Sequence, residues 1–156
     1  MRLIGLAALM CLGSTLGAAS AARADACGTL AGRFVTVTGA AFAGRSGSTV
    51  AFGAADADLM LLDCRAPRQV ILRSRFAEPN RYTFVLIGLA AKALAGARPE
   101  EAETLALALH RAARLGGTGR AGRAGPVEIT CTAAPVGEFL SSCLVRALRG
   151  PRAGRS

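Results

Sequence analysis

The chain has 156 residues, with 19 basic side chains against 10 acidic ones, one histidine and five cysteines. That length holds one ordinary domain with a real core and leaves no room for a second. The formal charge of +9 favours anionic partners, but the absence of tryptophan and an aromatic content of 4% argue against the stacking platform that single-strand nucleic-acid binding needs.

Residues 1–24, MRLIGLAALMCLGSTLGAASAARA, carry one early charge at Arg2, an apolar run from Leu3 to Leu12, and a small-residue ending at Ala22-Arg23-Ala24. This layout predicts a secretory signal peptide cleaved after Ala24. Gly13, Ser14, Thr15, Gly17 and Ser20 dilute the second half too far for a membrane span of about 20 apolar residues. Cys11 lies within the apolar run and leaves with the signal, and no transmembrane segment is expected after cleavage. Residues 25–148 are then a single domain and residues 149–156 a basic flexible tail. The processed chain loses Arg2 and Arg23 and remains strongly basic. Lys92 is its only lysine, so a coding bias toward arginine accounts for part of that excess.

Four cysteines remain: Cys27, Cys64, Cys131 and Cys143. An even number in an exported chain predicts two structural disulfides and a periplasmic or secreted location. No C-x-x-C or C-x-x-C-H spacing occurs, and His110 shares no segment with a cysteine, so thioredoxin-like redox chemistry, covalent haem and zinc are all disfavoured.

In chain order, Arg33–Thr38 (RFVTVT) has the β-branched content of a strand, and the small-residue stretch after it reads as a loop. Thr49–Phe52 and Leu59–Cys64 are further strands. Gln69–Phe76 (QVILRSRF) alternates, placing Val70, Leu72, Ser74 and Phe76 toward a core and Ile71, Arg73 and Arg75 on the opposite face. Arg65, Arg68 and Arg81 flank this strand in its turns. Tyr82–Ala95 reads as a buried helix ended by Gly96. Residues 99–115 form a second helix, with Pro99 and three glutamates at its start, His110, Arg111 and Arg114 complementing its negative end, and Gly116 as its stop.

GGTGRAGRAG, residues 116–125, contains the G-x-G-x-x-G spacing at Gly117, Gly119 and Gly122. Dinucleotide binding needs a strand before that motif and a helix after it. Here a helix precedes and a strand follows, so the segment is expected to be a mobile basic connection. Beyond it, a hairpin centred on Gly137 pairs Val127 with Ala147, Ile129 with Val145 and Cys131 with Cys143, all on one face of the ribbon. Four cysteines allow three connectivities. The hairpin register favours Cys131 with Cys143 and, by elimination, Cys27 with Cys64.

No nucleophile elbow accompanies His110. Asp56, Asp58 and Asp63 lack the spacing of a calcium loop, and Glu100, Glu101 and Glu103 are accounted for as helix-start residues. No catalytic residue, metal or cofactor is assigned. Arg146, Arg149, Arg152 and Arg155 recur every three residues, a spacing that lines up one side of an extended segment. The expectation is therefore an α+β fold in which an antiparallel sheet, made of an N-terminal meander and a C-terminal hairpin, packs on two consecutive helices and is stapled by disulfides. Its expected function is non-enzymatic binding of an anionic envelope polymer, lipid headgroup or acidic protein through Arg73, Arg75, Arg149 and Arg152. The alternatives are a cofactor-independent envelope hydrolase with unidentified carboxylates, or a structural partner subunit.

Overall fold

The computed structural model describes residues 18–148, with side chains from residue 26 onward. The fold is α+β. Helix α1 (Ala18–Thr38) leads into a meander of β1 (Ala41–Ser46), β2 (Thr49–Ala54), β3 (Ala57–Asp63) and β4 (Gln69–Ser74). Two helices follow, α2 (Arg81–Ala95) and α3 (Pro99–Gly116), and then β5 (Arg120–Ala124), β6 (Val127–Ala133) and β7 (Ser141–Ala147). The seven strands make one sheet in the order β1-β2-β3-β4-β7-β6-β5, antiparallel at every pairing.

The sheet joins its two halves at β4 and β7, where Val70 faces Val145 and Leu72 faces Cys143. Side chains alternate along each strand, and the buried set (Val50, Phe52, Met60, Leu62, Val70, Leu72, Val127, Ile129, Cys131, Cys143, Val145) shares one core with all three helices. The other face carries Leu59, Leu61, Ile71, Arg73 and Leu144, all partly exposed.

The two consecutive helices expected from sequence are α2 and α3, and α1 is a third; Arg33–Thr38, read as a strand, is its last turns. Cys27, Leu30, Ala31 and Phe34 are buried at helical spacing, so one stripe packs inward on α2 and the sheet while Val35 and Thr36 stay exposed. That burial outweighs the modest helix cost of β-branched residues. The two threonines also bond back into the helix, Thr36 Oγ1 donating to the Gly32 carbonyl at 3.1 Å and Thr38 Oγ1 to that of Phe34.

Two segments expected to be loops are strands. Ala41–Ser46 pairs with β2, with a bulge between Phe42 and Gly44. Arg120–Ala124, inside the glycine-arginine run, pairs along β6 from Arg120 opposite Cys131 to Ala124 opposite Val127. In both cases the edge of a neighbouring strand would otherwise present unpaired backbone groups, and pairing them overrides the poor strand propensity of glycine and alanine. The connection between α3 and β5 shrinks to the turn at Gly117–Gly119. Gly117 ends α3 with a left-handed φ of 64°, the conformation that glycine adopts without a Cβ penalty.

Helix α2 lies centrally and is buried on most sides, by Phe84, Ile87, Ala90, Ala91 and Leu94 among others. Asn80 caps it by accepting from the Thr83 amide at 3.1 Å, and Thr83 Oγ1 donates to the Asp56 carbonyl at 2.7 Å, locking the helix start to the β2–β3 turn. Gly96 ends it. The start of α3 crosses so close to α2 at Gly88 that a Cβ there would collide with the Pro99 carbonyl oxygen. Helix α3 presents Ala102, Ala106, His110 and Ala113 to the core.

Two placements differ from expectation here. Phe76 lies just beyond the end of β4 and is 68% exposed, because the alternation that would bury it stops with the strand at Ser74. His110 belongs to the buried stripe rather than to the helix end. It is 3% exposed, its ring lies 5.4 Å from that of Phe84, and neither ring nitrogen has a hydrogen-bond partner.

Both disulfides join the favoured partners, Cys27 with Cys64 and Cys131 with Cys143. The second bridges β6 and β7 in the register read from the hairpin, with Val127 opposite Ala147 and Ile129 opposite Val145.

Candidate functional site

An up-and-down meander brings alternate turns to the same end of a sheet. The β1–β2 turn and the β3–β4 turn therefore meet, and the Cys64 amide donates to the Ser48 carbonyl at 2.9 Å to hold them together. The Cys27–Cys64 bridge ties the early part of α1 to the same place across a separation of 37 residues. Between these pieces lies a cleft of about 730 Å³, lined by Ala26, Cys27, Leu30, Arg45, Gly47, Ser48, Cys64, Arg65, Ala66 and Arg68.

Its lining is divided chemically. Leu30, Ala26, Ala66 and the disulfide supply an apolar wall, while Arg45 from β1 and Arg65 and Arg68 from the β3–β4 turn supply three guanidinium groups. None of the described residues that line it carries a carboxylate. Arg45 is anchored by its Nε, which donates to the Gly47 carbonyl at 2.9 Å. Arg65 is held by Asp63: its Nε lies 3.1 Å from both carboxylate oxygens, its second guanidinium nitrogen 2.7 Å from Oδ2, and its amide donates to Oδ1 at 3.0 Å.

The hydrogen bonds from the Arg65 side chain pull the Asp63 carboxyl down to about 2, against a smaller opposing effect of partial burial. Asp63 thus stays ionised over the whole physiological range. Asp63 offsets the charge of Arg65, and Arg45 and Arg68 bring two further arginines to the same end of the sheet.

The chain also returns here. The Ala147 amide donates to the Arg68 carbonyl at 2.9 Å and the Leu148 amide to that of Pro126 at 2.8 Å, so β7 ends beside the cleft. Arg149 and Arg152, two of the four arginines singled out from sequence, follow that point in the chain and lie outside the described residues.

Arg73 and Arg75 are placed elsewhere. Arg73 is half-buried on the open sheet face, with its guanidinium carbon 5.5 Å from the centre of the Phe139 ring. Arg75 pairs with Glu138 at 3.4 Å, and its amide donates to Asp58 at 2.7 Å. Both sit toward the far end of β4, about 20 Å from Arg68 along a strand rising about 3.3 Å per residue. Arg81 is at that end too, 3.7 Å from Glu103. The arginines flanking β4 therefore divide between two ends of the sheet. The signal that reveals Arg45 as a partner of Arg65 and Arg68 is the strand nature of residues 41–46, which composition conceals.

Among the described residues no cluster of His, Cys, Asp and Glu could hold a metal ion, and no helix is long and apolar enough to cross a membrane. Comparison with known proteins gives no further guide: no family model matches the chain, and no curated protein and no solved structure is similar to it.

Proposed function

We propose that this is a small exported, non-enzymatic protein that binds an anionic component of the cell envelope, with the cleft as its principal contact. The observation that carries the reading is the convergence of Arg45, Arg65 and Arg68 on one concavity, with no carboxylate among the described residues that line it. Guanidinium groups from separate turns offer planar donor forks suited to phosphate or carboxylate oxygens. Export is supported by the signal-like residues 1–24 and by two disulfides, which persist in an oxidising compartment. The tail arginines Arg149 and Arg152 follow β7 in the chain and add basic character to the segment after it. Arg73 and Arg75 form a secondary contact whose charge is partly used by Phe139 and Glu138.

The test is retention of the exported protein on phosphatidylglycerol vesicles and on lipopolysaccharide at two salt concentrations. Binding is expected to weaken as salt rises, because the charges involved are near solvent. Replacing Arg65 and Arg68 together by alanine should lower affinity by about tenfold or more, and replacing Arg73 and Arg75 should lower it less. Binding that ignores salt and survives both double substitutions would overturn the proposal.

A further inference from the structure

We propose that the β5 edge of the sheet is a docking site for an extended acidic peptide segment, which adds to it as a further antiparallel strand. A sheet in the order β1-β2-β3-β4-β7-β6-β5 has open edges at β1 and β5, and each leaves alternate backbone N–H and C=O groups without a strand partner. The two edges differ. Along β1 the register shifts between Phe42 and Gly44, and such a bulge twists an edge away from regular pairing. Along β5 the register with β6 runs without a shift from Arg120 opposite Cys131 to Ala124 opposite Val127. Among the described residues no backbone hydrogen bond from a turn or loop reaches β5, so its outer groups stand in a regular row.

Charge selects an acidic partner. Arg123 is exposed and stands opposite Glu128, but Glu128 is engaged by Arg146, and among the described residues Arg123 has no ion-pair partner. Arg120, also exposed, donates to the Thr118 hydroxyl and, at 3.4 Å, to the Gly119 carbonyl. Both acceptors are neutral, so neither offsets its charge. Between the two arginines, Leu105 of α3 lies across Gly122, where an added Cβ would stand 2.9 Å from its Cδ1. Leu105 is only partly buried, and an apolar side chain opposite Gly122 would extend its cover. Residues directly opposite across a ladder share a face. The partner therefore carries an acid, an apolar residue, any residue and an acid opposite Arg123, Gly122, Ala121 and Arg120.

The chain itself supplies no such strand. Residues 1–17 and 149–156 contain no acidic side chain, and Arg149, Arg152 and Arg155 repeat the sign of the edge. A second copy paired through β5 brings Arg120 and Arg123 from both copies onto one ladder, where like charges directly opposite are destabilising. A second copy offering β1 brings Arg45 and no carboxylate. The complementary occupant is a separate acidic chain. Because β5 lies at the far edge of the sheet from β1, docking there is independent of the cleft.

The experiment is fluorescence anisotropy of the exported protein with a short, labelled, end-capped peptide in which glutamate, valine, threonine and glutamate follow in that order between flanking threonines. Replacing both glutamates by glutamine should weaken binding about fivefold or more, a difference that narrows as salt rises. An antiparallel strand pairs through alternate residues, so N-methylation of one alternate set of peptide amides should weaken binding about tenfold while the other set is tolerated. In Arg120→Gln combined with Arg123→Gln, the glutamate and glutamine peptides should bind alike. Arg65→Ala combined with Arg68→Ala should leave peptide binding unchanged. Any of four results overturns the proposal: no binding of the glutamate peptide, equal binding of the glutamate and glutamine peptides to the wild-type chain, equal tolerance of both N-methylated sets, or loss of peptide binding in the cleft variant. Sedimentation of the protein alone adds a fifth, a dimer that is lost in the β5 variant, which would assign the edge to a second copy. Salt-sensitive retention on anionic vesicles is read separately, so the cleft reading stands or falls on its own test.

Discussion

Asp63 grips Arg65 through both the guanidinium group and the backbone amide, fixing a cleft arginine while cancelling one of its charges. Replacing Asp63 by asparagine keeps an acceptor for Arg65 and removes the opposing charge. Anion affinity should therefore rise by about two- to fivefold, the effect of one charge near the surface, as measured by retention on phosphatidylglycerol vesicles. A fall in affinity would mean that orientation of Arg65 matters more than charge.

The same pair predicts an acid limb in stability. The folded carboxyl titrates near 2 against an ordinary value of 3.8, so Asp63 contributes stability above that ordinary value and the contribution disappears as pH falls toward 2. Urea denaturation of the wild-type chain and of Asp63→Asn between pH 5 and pH 2 should show a shallower decline in the variant.

His110 gives the opposite kind of dependence. Burial pushes the imidazole below its ordinary 6.5, the charge of Arg114 adds to this, and the Ala77 carbonyl and the Glu78 charge oppose it. No hydrogen bond of normal geometry reaches either ring nitrogen, so burial governs and the neutral form is the folded one. The unfolded chain takes up a proton below about 6.5 and the folded one resists it, so stability falls as pH drops through that value. His110→Leu should abolish this decline. At pH 7 it should leave stability unchanged or raise it by about 1 to 2 kcal/mol, because it removes two buried polar atoms that lack partners.

Gly88 tests the crossing of α2 and α3. In an exposed helix, glycine to alanine stabilises by about 1 kcal/mol. At Gly88 the added methyl group meets the Pro99 carbonyl oxygen and stands 3.3 Å from Glu103 Cβ. Backbone cannot yield cheaply, so Gly88→Ala should instead destabilise by about 1 to 3 kcal/mol, read from the midpoint of urea denaturation.

The two disulfides should open in order. Cys64 is half-exposed at the cleft, whereas Cys131 and Cys143 are 0% and 4% exposed within the core. Attack by a thiolate requires access to sulfur. Mild reductant followed by alkylation and peptide mapping should label Cys27 and Cys64 first, and anion binding should weaken with that first step because the bridge forms part of the cleft wall.

The features legible in the sequence were those written in local pattern. The alternation through Val70, Leu72 and Ser74 gave β4 its buried face, and the apolar agreement of Val127, Ile129 and Cys131 with Ala147, Val145 and Cys143 gave the hairpin its register. The pairing of cysteines followed from that register. What escaped was set by tertiary pairing. Arg33–Thr38 has strand-like side chains, yet Cys27, Leu30, Ala31 and Phe34 place a helical stripe on the core. Residues 41–46 and 120–124 have the composition of loops and become strands because β2 and β6 have edges to fill. The cleft depends on the first of these, since Arg45 meets Arg65 and Arg68 only once β1 is in the sheet.

The most direct test of the account is to follow the side-chain Nε–H resonances of all arginines by NMR during titration of the exported protein with a short-chain phosphatidylglycerol below its micelle concentration. The account predicts that those of Arg45, Arg65 and Arg68 shift together and saturate at one affinity, while those of Arg73 and Arg75 move little. Early saturable shifts at Arg73 and Arg75, with the three cleft arginines unmoved, would contradict it.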